Sequence, residues 1–179
     1  EAKTFLRHLV GTKEINQSNY RFCLWIEDEK LEEAEAVPGI SRRIELVRRM
    51  RLDSSAKTTR AYANISHKFA QRCHRNEPSL SVPKTTTGES PFITPCIFTK
   101  DTVISDLAFV VYPLDLVCFS VISSSLHRVW TTTVAGGMRA GLRYSSQLAY
   151  HTFPLPFLTE KNIGDLTHSA EDILLAREA

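Results

Sequence analysis

The stretch with most capacity for chemistry is AGGMRAGLRYSS, residues 135–146. Gly136 and Gly141 have the glycine spacing of G-x-x-x-x-G-K-[ST], the loop whose backbone amides cradle a phosphate while its lysine reaches it. Leu142 and Arg143 stand where that loop needs its lysine and its Ser or Thr, and the preceding residues read as a helix where a phosphate loop follows a strand. A phosphate loop is therefore excluded. No G-x-G-x-x-G, H-E-x-x-H or G-x-S-x-G occurs, which removes the dinucleotide, zinc-protease and nucleophile-elbow readings. Glu27-Asp28-Glu29-Lys30 has the carboxylates of a nuclease metal site but no partner aspartate on a neighbouring strand, so a solvated face is the simpler reading. Cys73-His74 with His67 lacks a second ligand pair at zinc spacing. No catalytic residue and no metal ligand is assigned. What remains is arginine. Arg139 and Arg143 are flanked by Tyr144, Ser145 and Ser146. Arginine pairs bidentately with guanine O6 and N7, and hydroxyls and backbone amides hold phosphates. Arg143 and Tyr144 equally suit a packing arginine and a core tyrosine.

The elements that must carry these residues follow from periodicity. Phe22, Leu24 and Ile26 alternate with Cys23 and Trp25, as in a buried strand. EDEKLEEAEAV (27–37) predicts a short acidic helix ended before Pro38-Gly39. From Ile40 the charge inverts: Arg42, Arg43, Arg48, Arg49, Arg51, Lys57 and Arg60 face only Glu45 and Asp53. Ile40, Ile44, Val47 and the stem of Arg51 follow one helical track, with the other arginines pointing away. That face is either a solvated surface or a phosphate-facing one, because clustered arginines displace counterions from nucleic acid.

Residues 76–90 are rich in Pro, Ser, Thr and Gly and predict a loop. The β-favouring runs 91–99 and 102–112 follow, joined by Lys100-Asp101 in a plausible hairpin. Residues 115–134 predict one helix, started by Asp115 and stopped by Gly136, with Leu116, Phe119, Ile122, Leu126, Val129 or Trp130, and Thr133 on its inner face. Pro154 and Pro156 precede an amphipathic tail through Leu166, Ala170, Ile173 and Leu174.

The chain has 179 residues, enough for a core without disulfides. A hydrophobic content of 42% and a charged content of 23% are ordinary for a soluble globular protein, and a net charge of +2 does not by itself define a nucleic-acid partner. Cys23, Cys73, Cys96 and Cys118 are widely spaced and predict reduced thiols in a cytoplasmic protein. The sequence holds neither a signal peptide nor an 18-residue apolar run, so export and membrane spanning are not expected. It starts at Glu1, with Met50 and Met138 as its methionines, and is expected to be an internal piece of a longer polypeptide.

One block resembles a known family. SVISSSLHRVWTTTVAGGMRAGLRYSSQLAYHTFPLP (120–156) is similar to the target-recognition region of MmeI-like type II restriction–modification enzymes. The matching residues are Ser123, Ser124, His127, Trp130, Val134, Gly136, Gly137, Arg143, Tyr144, Ser145, Tyr150, Phe153, Pro154 and Pro156. Gly11, Glu14, Arg21, Cys23, Leu24 and Trp25 match the start of that domain, and residues 42–64 resemble its helical segment. There are three departures. His151 stands in place of asparagine, the loop between Gly137 and Arg143 is one residue shorter, and the segment after Pro95 is compressed.

The resemblance implies an α+β target-recognition domain over residues 1–156, with small sheets and several helices, and the start of a C-terminal helical segment over 157–179. It implies double-stranded DNA as partner, beside the methyltransferase domain of the same bacterial, cytoplasmic polypeptide. That parent enzyme would use S-adenosylmethionine to methylate adenine N6, and Mg2+ if it also cleaves, whereas this fragment would hold no cofactor and no catalytic centre. On this reading Met138, Arg139, Ala140, Gly141 and Leu142 read bases. Arg143, Tyr144 and Ser145, with Lys57 and Arg60, position the loop or meet the DNA backbone. Two readings from other classes stand beside it: an interaction module whose basic helix docks on an acidic partner, and a minimal nuclease using Glu27 to Glu29.

Overall fold

The computed structural model describes residues 2–17, 19, 21–87, 90–138 and 141–178, so Arg139 and Ala140 of the expected readout loop lie outside the described residues. The chain is an α+β mixture. In order it forms β1 (Leu6–Val10), α1 (Thr12–Gln17), β2 (Arg21–Leu24), α2 (Leu31–Glu35), α3 (Pro38–Leu52) and α4 (Lys57–Ala61). There follow β3 (Ser79–Pro83), β4 (Thr85–Thr87), β5 (Cys96–Phe98), β6 (Thr102–Ile104), β7 (Ala108–Val111), α5 (Leu116–Ser123), α6 (Ser125–Ala135), β8 (Gly137–Met138), β9 (Gly141–Arg143) and α7 (Glu160–Glu178). Contacts divide the chain into two compact units, Glu1–His8 with Arg21–His74 and Leu9–Tyr20 with Arg75–Ala179.

In the first unit β2 runs beside β1, and the Trp25 amide donates to the Phe5 carbonyl at 2.8 Å. Phe5, Ile26, Ala34 and Ile40 form its core, with Leu24, Leu31, Val37 and Ile44 packed around them. Helix α3 opens on Pro38, whose missing N–H falls among amides that have no helical partner anyway. Ile40 and Ile44 turn inward as their spacing predicts. Arg51 is buried too, and not by its stem alone. Its Nη1 donates to the carbonyls of Tyr62 at 2.7 Å and Ile65 at 2.9 Å, and its Nη2 to that of Lys68 at 2.8 Å. A fixed guanidinium fork thus satisfies three carbonyls around the short 3-10 turn Tyr62–Ile65.

The second unit is built on the antiparallel sheet β5-β3-β7. In it Leu80 lies opposite Ile97 and Val111, and Val82 opposite Phe109. Every residue of β3 is buried, including Ser79 and Ser81, and the Ser81 hydroxyl donates to the Phe109 carbonyl at 3.1 Å. Here residues 76–90 depart from the expected loop. The strand Ser79-Leu80-Ser81-Val82 is short and lies among Pro, Ser, Thr and Gly, so its serines read as linker composition although they are buried.

The expected hairpin at Lys100-Asp101 does not form: β5 pairs with β3, and β6 lies in a different sheet, with the Ser105 amide donating to the Val10 carbonyl at 2.7 Å. The 102–112 run is broken by a turn in which the Ala108 amide donates to the Ser105 carbonyl at 3.1 Å.

The expected helix over 115–134 is two helices. Asp115 caps α5, its Oδ1 accepting from the amides of Val117 at 2.8 Å and Cys118 at 3.2 Å. Ser124 then leaves helical geometry with ψ 150° and caps α6 by accepting from the His127 amide at 3.1 Å. This break resets the helical phase, so Leu126 and Val129 are 68% and 60% exposed, while His127 and Thr131 turn inward. Helix α7 follows its predicted face: Ala170 is fully buried in the core with Phe119 and Ile122, and Ile173 and Leu174 pack against it. The tail therefore belongs to the same compact unit as the sheet.

Candidate nucleic-acid interface

Gly136 ends α6 at φ 69° and ψ 171°, in the left-handed region where a side chain is disfavoured. The chain then turns into an antiparallel pair with Gly137 opposite Leu142 and Met138 opposite Gly141. On the other edge β9 pairs with β4, placing Thr85 opposite Arg143, Thr86 opposite Leu142 and Thr87 opposite Gly141. Successive strand residues face opposite ways. Leu142 accordingly points into the core at 4% exposure, with Thr86 half-buried on its side. Arg143, Thr85 and Thr87 are exposed on the other face.

This arrangement separates residues that the sequence grouped together. Leu142 stands among the expected base readers, but its side chain sits with Leu80, Phe119 and Ile122 and offers nothing to a base edge. Tyr144 is likewise 4% exposed and its ring lies in the core. Its amide donates to the Lys84 carbonyl at 2.9 Å, and its hydroxyl is hydrogen-bonded to His127 Nε2 at 2.9 Å. Burial pushes the Tyr144 hydroxyl well above its usual range and lowers the His127 pKa to about 4, so both are neutral near pH 7. Ser145 is occupied as a cap, its Oγ accepting from the Leu148 amide at 3.3 Å at the start of the π-helical turn Ser146–Tyr150.

Lys57 and Arg60 belong to the first unit, so the structure does not group them with the β4–β9 face. Arg60 Nη1 donates to the carbonyls of Ser54 at 2.7 Å and Ser55 at 2.8 Å, closing the turn before α4. On α3 the side chains of Arg42, Arg43, Arg48 and Arg49 are exposed. Glu45 pairs with Arg49 at 2.8 Å and Arg48 at 3.8 Å. Thr85 and Thr87 were missed by sequence reasoning. Their signal is the β-branched run Thr85-Thr86-Thr87, hidden by the surrounding Pro, Ser and Gly.

The acidic stretch at 27–30 is held by cations of its own unit. Glu27 receives both Nη atoms of Arg72 at 2.8 Å and the Trp25 Nε1–H at 2.8 Å, while the Arg72 guanidinium lies 3.9 Å over the Trp25 ring. The Arg72 hydrogen bonds hold the Glu27 carboxyl below its usual range. Asp28 is bonded to Lys68 and, at 2.8 Å, to His67 Nε2, with the Lys68 bond the larger cause of its lowered pKa. Among the described residues no group of three or more His, Cys, Asp or Glu side chains could hold a metal ion. No described helix is long and apolar enough to cross a membrane.

The description "MmeI, target recognition domain" fits residues 1–157, and the chain belongs to that family. Its fold is similar to that of the type IIL restriction–modification enzyme MmeI, solved in complex with DNA. The TM-score is 0.92 at 30% identity, over 99% of this chain and 24% of that one. It is 28% identical over 178 residues to DNA methyltransferase A of Bacillus subtilis (strain 168), covering 99% of this chain. The chain thus spans about a fifth of the length of that curated relative, 20% of it.

Proposed function

We propose that this chain is the double-stranded-DNA recognition module of a restriction–modification enzyme, placing an N6-adenine methyltransferase on a short target. The observation that carries this reading is the outward face of β4 and β9, where Thr85, Thr87 and Arg143 project from one three-stranded sheet. Two hydroxyls and a guanidinium on one ribbon suit a phosphate backbone and a groove edge. The base readers are Met138, Arg139, Ala140 and Gly141, with Arg139 foremost. Leu142 drops out as a reader and becomes the anchor of the strand.

The methyl transfer, with S-adenosylmethionine as donor and the adenine turned out of the duplex, belongs to a neighbouring catalytic domain in the bacterial cytoplasm. Any cleavage, with its Mg2+, belongs there as well. This chain contributes position and sequence choice, and no chemistry.

Titrating the chain against duplex DNA over a salt series tests the reading. Expected is an affinity that falls log-linearly with salt, with a slope of about −0.9 per phosphate neutralised. A second reading, docking of α3 on an acidic partner domain, is favoured by Leu46 and Met50, which are 55% and 60% exposed among the arginines. Salt-insensitive or absent DNA binding would select that second reading.

A further inference from the structure

The second unit contains a cleft of about 400 Å³ that the recognition face does not use. Its floor is apolar and buried, formed by Val82, Ile122 and the ring of Tyr144. Its rim is aromatic and cationic, with Tyr112, Tyr150 and His151 joined by Arg75 and Ser146. The Arg75 guanidinium lies 5.5 Å over the Tyr112 ring and 3.7 Å from Glu77. Tyr150 meets His151 edge-on with ring centroids 5.3 Å apart, and its hydroxyl accepts from the Cys118 thiol at 3.6 Å.

We infer that this cleft takes an unstacked nucleobase, with Arg75 against the adjoining phosphate; the inference rests on the DNA-recognition reading above. Three observations favour that ligand. Chain connectivity links the cleft to the recognition strands: Tyr144 of its floor directly follows Arg143, on the opposite side of the strand, and Val82 of its floor stands three residues before Thr85. Flat apolar and aromatic walls accept the π-face of any base, and tyrosine and histidine rings are the usual stacking platforms. The lining carries one guanidinium, hydroxyls and an imidazole but no carboxylate, so it suits a neutral base attached to an anionic backbone.

There is also a chemical need for such a place. An enzyme that turns a base out of the helix leaves its partner base without a pairing neighbour. An aromatic cleft beside the recognition strand can hold that partner base and stabilise the opened duplex.

The test compares the 179-residue chain on a fully paired duplex and on the same duplex with a single extrahelical 2-aminopurine. Expected is at least about fivefold tighter binding to the bulged duplex, with 2-aminopurine emission quenched by stacking. Tyr112→Ala and Arg75→Ala, both outside the recognition face, should bring the bulge preference below about twofold while leaving affinity for the paired duplex unchanged. Equal affinity for the two duplexes, or a preference that survives both substitutions, overturns the inference and leaves the recognition reading standing. Equal affinity is also the result expected if the cleft holds an aromatic side chain of a partner domain. Binding to neither duplex overturns both readings.

Discussion

The hydroxyl of Tyr144 lies 2.9 Å from Nε2 of His127, a buried hydrogen bond joining the residue after β9 to the first turn of α6. It fixes the chain just after Arg143 against the start of the helix whose other end leads into Gly136. Within the segment 136–143, Leu142 supplies a side chain to the core. The exposed Arg143 is therefore held by its buried neighbours, Leu142 before it and Tyr144 after it.

This pair gives the fold a pH dependence. Burial lowers the His127 pKa to about 4, from 6.5 in the unfolded chain. On acidification the unfolded chain takes up the proton first, so this contribution is complete above pH 6.5 and is lost as pH falls toward 4. It amounts to up to about 3 kcal/mol. Denaturant titrations at pH 7.5 and 5 should show about 2 kcal/mol of that loss. His127→Met should flatten the dependence in this window while lowering the neutral-pH plateau by about 1–3 kcal/mol, because the Tyr144 hydroxyl loses its partner. An unchanged pH slope in the variant would remove His127 as the cause.

Arg51 and Arg42 lie on one helix and should behave oppositely. Arg51→Met orphans three carbonyls in the first unit and should destabilise it by about 3 kcal/mol or more. Arg42→Gln, on the exposed face, should change stability by less than about 0.5 kcal/mol. Chemical denaturation followed by Trp25 fluorescence reads both. Equal effects would mean that the buried fork is not what orders residues 62–68.

Leu142 and Arg143 are neighbours with different jobs. Leu142→Ala should lower stability by about 2–5 kcal/mol through the cavity it leaves, with the sequence preference of the remaining folded protein unchanged. Arg143→Ala should leave the melting temperature within about a degree or two and weaken binding to all duplexes alike, reducing the salt slope by about 1. A variant at 143 that melts early and binds normally would reverse these assignments.

Much of this arrangement is legible in the sequence, where local signals are strong. Asp115 as a cap, Gly136 as a helix stop, the inward track of Ile40 and Ile44, and the face of α7 each follow from one residue's chemistry or one period. What the sequence hides is either ambiguous locally or set by distant partners. Ser124 breaks the long helix because its hydroxyl competes for backbone groups on both sides, donating to Val121 and accepting from His127, and three consecutive serines give no hint which one does so. The buried β3 pairs with strands that follow it by many residues, so its serines look like linker. The contrast between Leu142 and Arg143 appears only once β9 is in register with β4. The family resemblance singled out residues 138–142 as the expected readout segment, and the pleat of the sheet sets Leu142 inward and Arg143 outward.

The central claim is sequence-specific recognition by the segment between β8 and β9, and selection from a randomised duplex pool tests it most directly. The wild-type chain should enrich one short motif. Arg139→Ala should enrich the same motif with one base pair relaxed, corresponding to about 1–3 kcal/mol at that position. No enrichment by the wild-type chain, or an identical motif from the variant at equal efficiency, would contradict the assignment.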